Sequence, residues 1–130
     1  MYGRINNETK ELKMKVVIID VNSKKIEKLT LEKIDLTNLY KAIGCSVIQA
    51  FGAYELTFIC DDEFLLNGTA EQSEYGFALA DWHSLLFGKV VVCLTDETNG
   101  DFIGFETDED LTAAIEFLKY FGGFARIKQL

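Results

Sequence analysis

The sequence predicts an α+β protein, with a mostly antiparallel β-sheet and two or three packed helices in a single domain. Residues 16–19 and 90–94 are uninterrupted apolar runs rich in valine and isoleucine, which is typical of buried strands. Short polar turns separate most strand-like segments, and this favours antiparallel pairing. Clear helical periodicity with end signals appears twice, after Asp35 and after Thr107. A chain of 130 residues that is 48% hydrophobic can bury such a core without disulfides or metal.

The first half of the chain predicts two hairpins with a helix between them. A turn at 22–25 joins the first two strands, and residues 52–53 form the second predicted turn. Asp35 is suited to cap a helix over 36–43, which Gly44 then ends. The predicted strands lie at residues 14–21, 26–31, 45–51, 54–60 and 63–66.

The second half alternates clear and ambiguous segments. Thr69 is suited to cap a short helix that includes Glu71, Gln72 and Tyr75, whereas a helix and a coil both fit residues 77–86. Strands are predicted at 89–95 and 101–105, around a polar turn at 96–100. Thr107 then caps an amphipathic helix that Gly122 and Gly123 end. An edge strand and a tail both fit residues 124–130.

The domain is predicted to span residues 14–130, after an N-terminal extension of residues 1–13. Residues 1–8 lack the apolar core of a signal peptide, and no apolar run approaches the ~20 residues of a membrane helix. We therefore expect a cytoplasmic protein, with no membrane partner.

The three cysteines predict no disulfide framework and no metal site. Cys45, Cys60 and Cys93 are odd in number, widely spaced and embedded in apolar runs. Buried thiols that act as small hydrophobic side chains are the expected outcome.

Charge is strongly polarised along the chain. Residues 1–41 carry nine Lys/Arg against six Asp/Glu, whereas residues 42–123 carry two against fifteen. Within a net charge of −8, this acidic section repels a nucleic-acid backbone and attracts a basic surface. Direct nucleic-acid binding is therefore not expected.

The acidic stretch 96–110 is the predicted partner-binding surface. It contains seven acidic residues and no basic one. The candidate binding residues are Asp96, Glu97, Asp101, Glu106, Asp108 and Glu109. Solubility and helix capping alone also explain such acids, and Asp108, Glu109 and Asp110 suit the positive end of a helix dipole. Partner binding is therefore judged first on the other four acids.

A second candidate site is a ligand pocket formed by Tyr75, Trp82 and His83. His83, the single histidine, would act as a general base, or it would form a ligand-stacking pocket with the two aromatic rings. A surface or half-buried histidine beside a core tryptophan explains the same residues. No catalytic motif, metal-ligand spacing or phosphate-binding glycine loop accompanies them, so no catalytic residue, metal or cofactor is predicted.

The order of short motifs resembles a small uncharacterised domain family of bacteriophages and plasmids. The resemblance covers residues 14–120. It rests on the Met-Lys-Val start at residue 14, the Ile43-Gly44 helix end, Leu-Leu-Asn-Gly at 65–68, and the strand from Gly88 that leads to Asp-Phe-Ile-Gly-Phe at 101–105. The resemblance implies an accessory protein of a mobile element and assigns no functional residues.

Three functions follow as hypotheses. The leading one is a non-catalytic, anti-defence accessory protein that inhibits a host protein by occupying its basic, nucleic-acid-binding surface. The alternatives are a protein that sequesters a nucleotide in an oligomer interface and a small enzyme that uses His83. The sequence also allows a homo-oligomer.

Overall fold

The structure is a computed structural model that describes residues 13–62 and 73–127. The strands are β1 (Met14–Asp20), β2 (Lys25–Leu31), β3 (Ile48–Ala53), β4 (Leu56–Asp61), β5 (Tyr75–Leu79), β6 (Lys89–Thr95), β7 (Phe102–Ile103) and β8 (Gly122–Arg126). The helices are α1 (Leu36–Ile43) and α2 (Asp108–Phe121). The predicted strand at 63–66, the turn at Asn67-Gly68 and the helix cap at Thr69 lie outside the described residues. So does nearly all of the predicted extension. The predicted domain boundaries stay a prediction.

The main sheet is antiparallel and has the strand order β2-β1-β6-β4-β3, with β7 also paired to β6. Helix α1 covers one face of the sheet, where Leu39 and Ile43 pack with Val16, Ile59 and Val91. Helix α2 covers the other face. Both faces of the central strands are therefore removed from water.

This two-sided burial explains the uninterrupted apolar runs. Along β6, Val90 and Val92 belong to the core under α2, whereas Val91 and Cys93 belong to the core under α1. Successive side chains of a strand point to opposite faces, so a strand covered on both sides needs apolar residues at every position.

A second sheet pairs β5 with β8 and closes the core on the α2 side. Phe77 and Leu79 of β5 are buried in the same cluster as Leu118 of α2. The chain enters β8 at Gly122 directly after α2, so the predicted glycine helix end is also the start of a strand.

The predicted fold class is wrong as stated and needs correction. The structure is 44% strand and 21% helix, with two helices among the described residues and two sheets in place of one. It is mostly antiparallel β-sheet with two helices, an arrangement that fits α+β. The error lies in residues 75–86, where a helix was one of the predictions. Tyr75–Leu79 is a strand because β8, nearly 50 residues later in the chain, supplies its hydrogen-bonding partner.

Both predicted helix starts are confirmed. The Asp35 side chain accepts a hydrogen bond from the backbone N–H of Asn38, and the Thr107 side chain accepts one from that of Asp110. Each bond satisfies a backbone donor that has no partner within the helix. Gly44 ends α1 with φ of 81°, a left-handed conformation that glycine adopts without strain.

The cysteines provide a test of the two-sided core. Cys60 and Cys93 are buried, and burial is the main reason why the pKa of Cys60 rises to about 11 and that of Cys93 to about 12. Cys45 is only half-buried. The thiolate is the reactive form. At pH 8 we therefore expect iodoacetamide to label Cys60 and Cys93 at least about tenfold more slowly than Cys45. Mass spectrometry of the labelled peptides measures the three rates. The rates should converge in denaturant, and equal rates in the folded protein would contradict the described burial.

Candidate functional site

Asp96 is held by its own turn. Its side chain accepts hydrogen bonds from the backbone N–H of Thr98 at 2.9 Å and the hydroxyl of Thr98 at 2.6 Å. These bonds lower the pKa of Asp96, because they stabilise its charged form. Asp96 therefore has a structural reason to be acidic in the β6–β7 hairpin.

Asp108 is also engaged within the protein. Its carboxylate lies 2.9 Å from the amino group of Lys15 on β1, and this hydrogen-bonded ion pair lowers its pKa. The pair forms because the segment before α2 crosses the start of β1, where the backbone N–H of Phe105 donates to the carbonyl of Lys15. Asp108 thus anchors the start of α2.

The remaining acids of the stretch are exposed. They make no ion pair with any residue in the described part of the chain. They are Glu97, Asp101, Glu106, Glu109 and Asp110. The Asp110 backbone takes part in the Thr107 cap while its side chain stays at the surface. These five carboxylates can therefore accept charged hydrogen bonds from a partner.

The turn between β3 and β4 contributes a further acid, Glu55, which is not among the residues predicted from the sequence. Tyr54 and Glu55 form the two-residue turn, with φ of 56° and 63°. Two positive φ angles are typical of the primed turns that favour Asn-Gly, so a Tyr-Glu pair here is strained by about 1–2 kcal/mol for each residue. The predicted turn at 52–53 is wrong, since Gly52 and Ala53 belong to β3.

Tertiary contacts hold this turn. The ring of Tyr54 lies 5.5 Å from that of Phe117 and 5.2 Å from that of Phe121, both on α2. Its hydroxyl donates a hydrogen bond to Asp81, and this bond is the largest cause that raises the pKa of Tyr54. These contacts offset the backbone strain and hold the Tyr54 side chain in place.

Two open grooves flank Tyr54. The larger, about 840 Å³, lies between the β3–β4 and β6–β7 hairpins, and the smaller, about 320 Å³, lies against α2. They share Tyr54, Glu55, Leu56 and Leu94 as lining residues. Glu55 and Glu97 lie on the first groove, and Asp110 lies on the second. The structure thus brings part of the acidic stretch onto an apolar surface.

The residues of the proposed ligand pocket have different surroundings in the structure. Trp82 and His83 line a cleft of about 500 Å³, but Tyr75 does not. Tyr75 instead lies under the amino group of Lys24, 4.6 Å from its ring centroid. Trp82 packs edge-on against Phe58, with ring centroids 5.1 Å apart, and His83 is exposed. That these three residues share a ligand site stays a prediction.

Metal ligands and membrane spans were also predicted to be absent, and these stay predictions. Within residues 13–62 and 73–127, no three His, Cys, Asp or Glu side chains are grouped so as to hold a metal ion. Over the same ranges, no helix is both long and apolar enough to cross a membrane.

Comparison with known families matches residues 14–121 to a domain of unknown function, DUF3846. The chain belongs to this family. No curated protein and no solved structure matches the chain. The resemblance to an uncharacterised domain is thereby confirmed, over nearly the same residues as predicted.

The DUF3846 match contains both grooves and all of the exposed acids described above. It begins at Met14, the first residue of β1. The family description assigns no activity, so the function of this DUF3846 domain has to be argued from its surface.

Proposed function

We propose that this DUF3846 protein is a non-catalytic binding protein of a phage or other mobile element. It acts in the host cytoplasm as an inhibitor, by placing its acidic surface on a basic, nucleic-acid-binding surface of a host protein. The observation that carries the proposal is the group of exposed carboxylates at 97–110 that have no ion-pair partner among the described residues.

Charge supports this proposal in two ways. The net charge of −8 steers a basic partner towards the protein from a distance, and the exposed acids then supply the contacts. Each exposed ion pair contributes only about 0–1 kcal/mol, so several must act together. Asp96 and Asp108 already have hydrogen-bonding partners within the protein. They contribute more to the long-range electrostatic field than to direct contacts with the partner.

The proposal is tested by reversing two of the exposed acids. The Asp101→Lys/Glu106→Lys variant should capture the host partner at least about tenfold more weakly, because it loses attraction and adds repulsion. The protein is immobilised on a resin and incubated with host lysate at several salt concentrations. The captured proteins are then quantified by mass spectrometry. Capture by the unaltered protein should fall with salt, because ions screen exposed charges.

The matched control is Glu32→Lys/Glu116→Lys, which reverses two exposed acids outside the stretch. Both double variants change the net charge from −8 to −4, since each reversal replaces a negative charge by a positive one. Equal loss of capture in both variants would show a dependence on net charge alone. The proposal would be contradicted if neither rising salt nor the Asp101→Lys/Glu106→Lys substitution reduced capture. The nucleotide-binding and enzymatic alternatives stay predictions.

A further inference from the structure

We propose that the two grooves beside Tyr54 bind the apolar side chains of a basic segment of the protein partner. This inference rests on the proposed function and specifies the chemistry of the partner. A segment with Leu-like side chains on one face and Lys or Arg on the other would fit the surface.

The two grooves act as one docking surface. Their four shared lining residues, which include Tyr54, make the grooves adjacent. A bound segment can therefore place apolar side chains in both grooves while its backbone crosses the β3–β4 turn.

The floor of this surface is apolar and accessible. Phe51, Phe102 and Ile103 line the larger groove, and Phe105 and Phe117 line the smaller one. Tyr54 is 46% exposed and Ile103 is 37% exposed, which is high for large apolar side chains. Covering them would remove apolar surface from water and favour binding.

The charge around the floor selects a basic occupant. Glu55, Glu97 and Asp110 line the grooves, and no lysine, arginine or histidine is among the described residues that line them. Neither Glu97 nor Asp110 forms an ion pair with another described residue. An apolar segment that also carries positive charge satisfies both properties, whereas an acidic or neutral segment satisfies at most one.

The surface is also organised before binding. The Tyr54 ring packs against Phe117 and Phe121, and its hydroxyl is held by Asp81. Thr57 and Thr95 also line the larger groove, and their hydroxyls are 2.6 Å apart and hydrogen-bonded. A surface fixed in this way loses little conformational freedom when a segment docks.

The test uses short labelled synthetic peptides and fluorescence anisotropy on the full chain. Leu/Lys peptides, with leucine at helical or at alternating spacing, are compared with a Ser/Lys peptide of equal charge and with an uncharged Leu/Ser peptide. At least one Leu/Lys peptide should bind at least about tenfold more tightly than either of the other two. One well-buried leucine side chain contributes enough free energy for a factor of that size.

A matched pair of variants locates the binding site. Ile103→Gln should weaken binding of the Leu/Lys peptide about tenfold, because it removes apolar floor without removing charge. Val47→Gln should leave binding within about twofold, because Val47 is 40% exposed but lines neither groove. Circular dichroism of both variants shows whether they are folded.

The outcomes separate this inference from the proposed function. Equal binding of the Leu/Lys and Ser/Lys peptides, or binding unaffected by Ile103→Gln, would overturn the proposal that the grooves bind apolar side chains. Neither result would contradict partner capture by the exposed acids. Equal binding of the Leu/Ser peptide would overturn the selection for charge. Self-association that Ile103→Gln abolishes and Val47→Gln preserves would assign the grooves to a second copy of the chain, which also overturns the inference. Failure of every peptide, together with capture insensitive to Asp101→Lys/Glu106→Lys, would overturn both.

Discussion

Replacing Phe77 with alanine is expected to lower the free energy of unfolding by about 3–5 kcal/mol. Phe77 has no exposed surface and lies in the middle of β5, the strand that closes the core on the α2 side. Its ring lies 5.3 Å from that of Phe124 on β8 and 6.4 Å from that of Trp82. Removing the ring leaves a cavity between the two sheets, and the rigid strands around it can refill that cavity only in part.

The size of this loss matters because a small domain has only about 5–15 kcal/mol of stability in total. Urea denaturation followed by circular dichroism measures the change. Phe77→Leu should retain the fold and lose less, since a leucine keeps most of the apolar volume. Phe102→Ala is the control, because Phe102 is only half-buried at the end of the main sheet. A loss below about 1 kcal/mol in Phe77→Ala would contradict the described role of β5.

The second large effect is expected from Gly104→Ala, which should destabilise the protein by about 1–3 kcal/mol. A Cβ atom at residue 104 would lie 2.8 Å from the carbonyl oxygen of Lys15 and 2.9 Å from its backbone nitrogen. Both contacts are with backbone, which cannot rotate away as a side chain can. The chain must instead separate where Phe105 donates its hydrogen bond to Lys15.

The control is Gly123→Ala, where an added Cβ meets no atom within 4 Å. This substitution should change the free energy of unfolding by no more than about 0.5 kcal/mol in the destabilising direction. Thermal denaturation of the two alanine variants side by side measures the difference. If both variants melt alike, the close crossing of the two segments is not as described.

The acidic site was predictable only in part. The run of seven acids is visible in the sequence, but the separation of engaged from available acids is not. Asp108 pairs with Lys15, 93 residues away, and Asp96 is engaged by Thr98 within its turn. Glu55 was missed, although apolar residues at 51, 53, 56, 58 and 60 indicate one continuous face and place the turn at 54–55.

The features that can be predicted from the sequence depend on interactions between near neighbours. The apolar runs of β1 and β6 require burial on both faces, and the caps at Asp35 and Thr107 bond to residues three positions away. Such signals lie within one segment and can be interpreted without knowing the fold.

The features that the sequence did not predict depend on contacts between distant parts of the chain. Residues 75–79 became a strand because β8 pairs with them, and Tyr54 adopts a left-handed turn because α2 and Asp81 hold its side chain. The contact energy from remote residues exceeded the local preference in each case, and a local pattern contains no information about that energy. For the same reason, the meeting of Glu55, Glu97 and Asp110 around the apolar grooves follows from the packing of two hairpins and a helix, and not from the acidic run alone.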